Sequence, residues 1–189
     1  MLSIRNVAVV GAGAIGSAIA EVVAMHGFYV KLTDISEDIL KRAVEKIREG
    51  LKSSYERGNI KENVESIMER IKTTTSLAEA VKDADLVIEA VPEILDLKKK
   101  VFSDIEKYAP EHTIFATNTS SLSITEQASA TKRPDKFIGL HFFNPPKILK
   151  LLEIEWGEKT SQETVKIAED FAKKIDRITV HVKKDAPAF

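Results

Sequence analysis

The sequence predicts a doubly wound α/β fold: a mainly parallel sheet covered by helices on both faces, with a helical-hairpin excursion and an antiparallel edge. Three observations carry this expectation. Apolar, β-branched runs alternate with segments of helical period as far as Asn118. The first strand-to-helix junction is glycine-rich, "GAGAIG" at 11–16. Late in the chain, two strand signals follow one another without a crossover helix, a connection that an antiparallel pair permits and a parallel pair does not.

Taken in order, "IRNVAVV" (4–10) reads as a buried strand, 15–25 as a helix and "YVKLTD" (29–34) as a second strand, together one βαβ unit. Ile39, Leu40, Ala43, Val44, Ile47 and Leu51 then form an apolar stripe, with lysines, arginines and glutamates on the remaining faces of a long amphipathic helix. "RGN" (57–59) reads as a turn into a shorter helix near 61–70, so the second crossover is a helical hairpin, an excursion suited to a substrate arm. The alternation resumes with a strand at 71–74, a helix from Ser76, the strand "DLVIEAV" (85–91), a helix at 94–108 and the strand "TIFATN" (113–118). After 123 come a short helix, a strand near 136–142, a strand at 150–156, a helix from Ser161 to about Lys174 and the strand "RITVHV" (177–182). The final "KKDAPAF" sets an uncovered phenylalanine straight after that strand, which suggests a truncated chain.

Bulk properties narrow the partners. At 189 residues and 43% hydrophobic, one domain with a sizeable core is expected. Charged residues make up 30% and cancel to a net charge of -1, which gives no case for nucleic acid or an anionic membrane. The absence of cysteine excludes disulfides, thiolate metal sites and a cysteine nucleophile, and the histidines show no metal-ligand spacing. Apolar runs are too short to span a bilayer, and the chain opens directly into a strand, so a cytoplasmic location is expected.

The motifs point to a bound dinucleotide. In "GAGAIG", Gly11 permits the tight turn, Gly13 lets the backbone approach a pyrophosphate and Gly16 allows close helix packing, while Ala12, Ala14 and Ile15 complete the loop. The helix N-terminus behind them favours negative charge. Asp34 ends the second strand roughly 20 residues on, where an acid can take both ribose hydroxyls. Its other reading is a cap for the following helix. No arginine follows Asp34 to pair a 2′-phosphate, so NAD is favoured over NADP.

Three further stretches lie at strand ends. Glu93 and Lys98, after "DLVIEAV", read either as cofactor contacts or as a solvated acid and a helix-surface lysine. In "NTSSLSI" (118–124), Asn118 is placed to meet the nicotinamide edge and Ser120 a substrate oxygen, although the stretch also fits a helix-capping loop. His141, in "IGLHFFNPP", is either packing or the general base that oxidation of an alcohol needs, since imidazole titrates near neutral pH. Glu153, within "KLLEIEW", is the candidate orienting partner on the neighbouring strand; its alternation with Glu155 argues for a solvent-facing side chain instead. His26, His112 and His181 read as surface or packing residues.

Together "VAVVGAGAIG", Asp34, "DLVIEAVPE", "IFATNTSSLSI", "GLHFFNPP" and "KLLEI" resemble, in order and spacing, the NAD-binding Rossmann-type domain of the L-3-hydroxyacyl-CoA dehydrogenases. The resemblance implies His141 as catalytic base with Glu153 as its partner, Ser120 and Asn144 as hydrogen-bond donors on the reacting oxygen or nicotinamide side, and Glu93 and Lys98 near the cofactor. It further implies that Gly50 and Arg57 stand at positions that touch coenzyme A, where the family commonly has a serine and a lysine. It implies too an all-helical domain beyond "DAPAF", responsible for dimerisation and absent from this chain. The function expected is reversible NAD-dependent oxidation of an (S)-3-hydroxyacyl-CoA. The alternatives are an NAD-binding module without catalysis of its own and a related dehydrogenase acting on a non-CoA hydroxy acid, such as a sugar acid.

Overall fold

The computed structural model describes residues 2–183. One eight-stranded sheet organises them. Its strands are β1 (Asn6–Val10), β2 (Tyr29–Thr33), β3 (Ile71–Thr74), β4 (Leu86–Glu89), β5 (Ile114–Thr117), β6 (Phe137–Phe142), β7 (Leu151–Trp156) and β8 (Ile178–Val182). Their order across the sheet is β3-β2-β1-β4-β5-β6-β7-β8. Six strands run parallel, β7 pairs antiparallel with β6, and β8 returns parallel to β7. The expected antiparallel edge is therefore two strands wide, because α7 (Gln162–Lys174) provides a crossover between β7 and β8.

Alternation along each strand divides the core into two layers. Val7 and Val9 of β1 join one layer with Ile19 and Val23 of α1 (Ala14–Met25), Leu51 of α2 (Glu37–Glu56) and Phe171 of α7. Ala8 and Val10 join the other with Val81 of α4 (Leu77–Val81), Phe102 of α5 (Leu95–Glu106) and Ile124 of α6 (Ile124–Ala128). Phe102 anchors that second layer, its ring centroid 4.5 Å from Phe137 and 5.9 Å from Phe115. The hairpin is completed by α3 (Val64–Glu69), which starts later than the sequence suggests because Asn63 caps it, accepting from Glu65 N. In α2, Leu40, Ala43, Ile47 and Leu51 are buried as expected, whereas Ile39 lies off the stripe and is exposed.

Polar side chains set several strand limits. Asp85 accepts from Arg5 N and Asn6 N, at 2.8 and 2.9 Å, and fixes the start of β1 against β4. At the other end of β4, Val91 N donates to Glu89 Oε1 at 2.7 Å, so the ladder stops before the expected residue 91. The loops after β1, β2, β4, β5 and β6 consequently gather along one edge of the sheet, outside the carboxyl ends of the strands, where ligands of such folds bind. No helix among the described residues is long and apolar enough to cross a membrane. The segment "DAPAF" lies outside the described residues.

Candidate active site

The glycine turn is built as a cradle. Gly11 has φ +103°, and a Cβ there would lie 2.6 Å from Ala90 O. A Cβ on Gly16 would collide with the Gly11 carbonyl, which is how closely α1 crosses the turn. Gly13 behaves differently: a Cβ would meet nothing within 4 Å. It is the N-cap of α1 and makes no side-chain cap hydrogen bond, and no acidic residue occupies the first turn. Open space before an uncapped helix N-terminus fits a pyrophosphate. Asp34 accepts from Ala12 N at 2.8 Å, tying the acid to this turn. It does not cap α2; Ser36 does, accepting from Ile39 N at 3.4 Å.

Glu93 and Lys98 belong to one network, buried at Lys98 and Glu89 and reaching the surface at Glu93, that their sequence context did not reveal. Lys98 is 1% exposed and is no surface lysine. Its Nζ donates to Glu89 Oε1 at 2.7 Å and to Val91 O at 3.2 Å, and lies 3.2 Å from Glu93 Oε2. Thr117 Oγ1 donates to the other Glu89 oxygen at 2.7 Å. Glu93 in turn accepts from the Thr119 hydroxyl, from Ser120 N at 3.1 Å and from Ser121 Oγ at 3.4 Å. Burial pushes the Glu89 carboxyl up, against the opposing pull of Lys98, Thr117 and the Val91 N–H. Burial acts on Glu93 too, but the Thr119 hydroxyl, Lys98 and Ser120 N–H outweigh it and hold that carboxyl below its ordinary range. Glu89, Thr117 and Thr119 are thus parts of the site that a motif search passes over. The signal was an acid and a threonine at the ends of otherwise apolar central strands, where an unpaired polar group would be costly.

Asn118 sits at the end of β5, and its Oδ1 accepts from Phe142 N at 2.8 Å. That bond fixes the loop carrying Ser120 against the end of β6. Ser120 is exposed, as is Asn144 beyond β6. Next to Phe142, His141 faces Glu153 in direct register across the β6–β7 pair. Its Nδ1 lies 3.0 Å from Glu153 Oε2. A carboxylate oxygen only accepts, so in the neutral imidazole Nδ1 carries the proton and Nε2 is the acceptor. The two side chains are 18% and 25% exposed, and the Phe143 ring lies 4.7 Å from the imidazole.

Glu153 does share a strand face with Glu155, but that face is not the solvent face. Glu155 is buried, opposite Gly139, where a Cβ would come within 2.8 Å of the Glu155 Cβ. His141, Glu153 and Glu155 bring ligand-type atoms within 4.8 Å of one another, a grouping absent from sequence spacing. The other histidines stand apart: His26 Nδ1 bonds Val22 O, His112 meets Asp85 and His181 meets Glu169.

Residues 6–186 match the family model of the 3-hydroxyacyl-CoA dehydrogenase NAD-binding domain. The chain belongs to the 3-hydroxyacyl-CoA dehydrogenase family. Within that family it is 43% identical over 192 residues to the human mitochondrial hydroxyacyl-coenzyme A dehydrogenase, a match covering 98% of this chain and 61% of the relative. The structure of 3-hydroxybutyryl-CoA dehydrogenase from Escherichia coli superposes with a TM-score of 0.95 at 38% identity, over all of this chain and 40% of that one. A diketoreductase acting on dicarbonyl compounds superposes at 0.93 with 40% identity, over 100% of this chain and 68% of that one. The chain thus spans less than two thirds of either of the first two, 61% of one and 40% of the other.

The glycine cradle and Asp34 lie within the matched residues. The hairpin positions are distinctive. Gly50 lies half-buried on α2, and Arg57 is its exposed C-cap residue, seven positions and hence two turns further along the same face. No serine hydroxyl is present at 50; the ion pair of Lys147 and Glu21 occupies the space instead.

Proposed function

We propose that the protein interconverts an (S)-3-hydroxyacyl-CoA and the 3-oxoacyl-CoA. The observation that carries this reading is the hydrogen-bonded pair His141–Glu153, 3.0 Å apart at the ligand-binding edge of an NAD-binding sheet. NAD, when bound, supplies a hydride acceptor, and its reduced form a hydride donor. The turn from Gly11 to Gly16 would hold the pyrophosphate, with Asp34 on the ribose hydroxyls.

In the oxidising direction Nε2 of His141 takes the substrate hydroxyl proton, and Glu153 stabilises the imidazolium that results. In the reverse direction the imidazolium polarises the ketone and returns the proton. Ser120 and Asn144 are donors for charge developing on that oxygen. Asn118 and Glu93 keep the Ser120 loop in place through the bonds to Phe142 N and Ser120 N. Arg57 supplies a cation for the phosphates of coenzyme A.

A second reading is favoured by the likeness to the diketoreductase: a carbonyl reductase whose substrate carries no coenzyme A. The deciding experiment follows NADH absorbance with acetoacetyl-CoA, with a free 2,4-diketone and with NADPH in place of NADH. We expect NADH consumption driven by acetoacetyl-CoA. Consumption driven by the diketone alone would establish the second reading, and equal use of NADPH would contradict the assignment to Asp34.

A further inference from the structure

Gly50 leaves a space on α2, and the chain fills it in a particular way. A Cβ at Gly50 would collide with Lys147 Nζ and lie 2.6 and 2.9 Å from the two oxygens of Glu21. Lys147 arrives from the loop between β6 and β7, three residues after Asn144; Glu21 arrives from α1. Lys147 Nζ donates to Glu21 Oε2 at 2.9 Å. The Glu21 side chain is 2% exposed and that of Lys147 is 34% exposed. Glu21 Oε1 is buried and meets no hydrogen-bond partner among the described residues. Burial pushes the Glu21 carboxyl up, and Lys147 opposes that push.

A lysine on an exposed loop ordinarily stays in water, because fixing its four-carbon stem costs side-chain entropy. This one is fixed, and so is the loop around it. Arg177 donates to Pro146 O and to Leu149 O, at 3.0 and 3.1 Å, pinning the backbone on both sides of Lys147. An ammonium carries three donors, of which Glu21 takes one. The result is a positioned, part-exposed cation beside Gly50, on the helix whose C-cap is the second cation, Arg57. The two positions lie two turns apart, about 10 Å, along one face of α2.

We propose that Lys147 is a substrate-binding residue for an acyl-CoA: its ammonium, held by buried Glu21 in the space left at Gly50, donates to an oxygen of the ligand's pantetheine or phosphate portion. The inference rests on the acyl-CoA reading above and adds a side-chain donor beside Gly50, which has none of its own. Charge and placement match, because coenzyme A carries anionic phosphates at one end and amide and thioester oxygens along the rest.

The test is calorimetric titration of acetoacetyl-CoA and acetoacetyl-pantetheine into the wild-type protein and the Lys147→Met and Lys147→Arg variants, with NADH titration as the control. Lys147→Met should weaken acetoacetyl-CoA about tenfold or more, the size of a lost charge-assisted hydrogen bond. NADH affinity should stay within about twofold, and Lys147→Arg should recover part of the loss. A matching loss with acetoacetyl-pantetheine places the contact on pantetheine; an unchanged value places it on a phosphate. Because Lys147→Met strands a buried carboxylate, the double variant Glu21→Gln/Lys147→Met is measured as well, and its acyl-CoA binding should remain weak. Wild-type affinity in either Met-containing variant overturns the proposal. So does a parallel fall in NADH affinity and thermal midpoint, which would make the pair a structural tie. A wild-type protein that binds NADH but not acetoacetyl-CoA would instead overturn the acyl-CoA reading itself.

Discussion

Lys98 shows how a single buried charge can organise a site from beneath. Its ammonium stands between Glu89 and Glu93, and Glu93 alone accepts from the Thr119 hydroxyl, Ser120 N and Ser121 Oγ. Removing the ammonium leaves Glu89, with 0% exposure, without its counter-charge. Lys98→Met should therefore destabilise the fold by about 3–5 kcal/mol, the usual result of stripping one partner from a buried pair. Chemical denaturation measures this, and a loss under about 1 kcal/mol would show that Thr117 and the Val91 N–H suffice for Glu89. Residue chemistry was only partly legible in the sequence. His141 and Glu153 could be nominated because two adjacent strands placed them side by side. Lys98 could not be told from a surface lysine, since its burial depends on α5 lying over the ends of β4 and β5. Glu155 was legible as sharing a face with Glu153, but which way that face pointed depended on α6 and the gap at Gly139.

The elements owe their placement to short-range devices, and two of these can be tested. In the glycine turn, Gly16 and Gly13 have opposite surroundings. Gly16→Ala forces α1 off the turn and should lower both thermal stability and NADH affinity. Gly13→Ala has room in the free protein, so it should leave the thermal midpoint near wild type while weakening NADH, whose pyrophosphate needs that space. Thermal melts alongside NADH titrations check this, and a Gly13→Ala protein with wild-type NADH affinity would contradict the cradle. At the start of β1, burial raises the Asp85 pKa, but the N–H groups of Asn6 and Arg5 together with His112 outweigh it and hold it below the ordinary range. The unfolded chain then takes up the proton first. Asp85 stabilises fully above its unfolded value of about 3.9, and that stabilisation is lost as pH falls through the lower folded value. Asp85→Asn should thus lower the thermal midpoint clearly at pH 7 and progressively less in acid. An equal gap at pH 7 and near pH 3 would contradict the assignment. The elements themselves were legible from periodicity, including the helical hairpin and the late pair of strands. Their ends were not, because side chains such as Asp85, Asn63 and Glu89 take over the backbone groups there.

For the whole molecule, alternating strands and helices were enough to imply a doubly wound sheet, and the absence of a helix between 142 and 151 implied its one antiparallel junction. Strand order was not legible from that alternation alone. It follows from packing: β1 lies centrally, buried on both faces by two hydrophobic layers, with β2 and β4 on either side. This order sets the glycine turn, Glu93, Asn118 and His141 along one edge, although 130 positions separate Gly11 from His141 in the chain (141 − 11). The site is therefore a property of topology as much as of motifs. There, we propose, His141, oriented by Glu153, moves the proton that accompanies hydride transfer. The direct measurement is the rate of NADH loss with saturating acetoacetyl-CoA for wild type and His141→Ala, alongside NADH affinity. We predict that His141→Ala lowers turnover by at least about 10²-fold, the size of a general-acid contribution, while NADH affinity stays at the wild-type level. Undiminished turnover by His141→Ala would contradict the account.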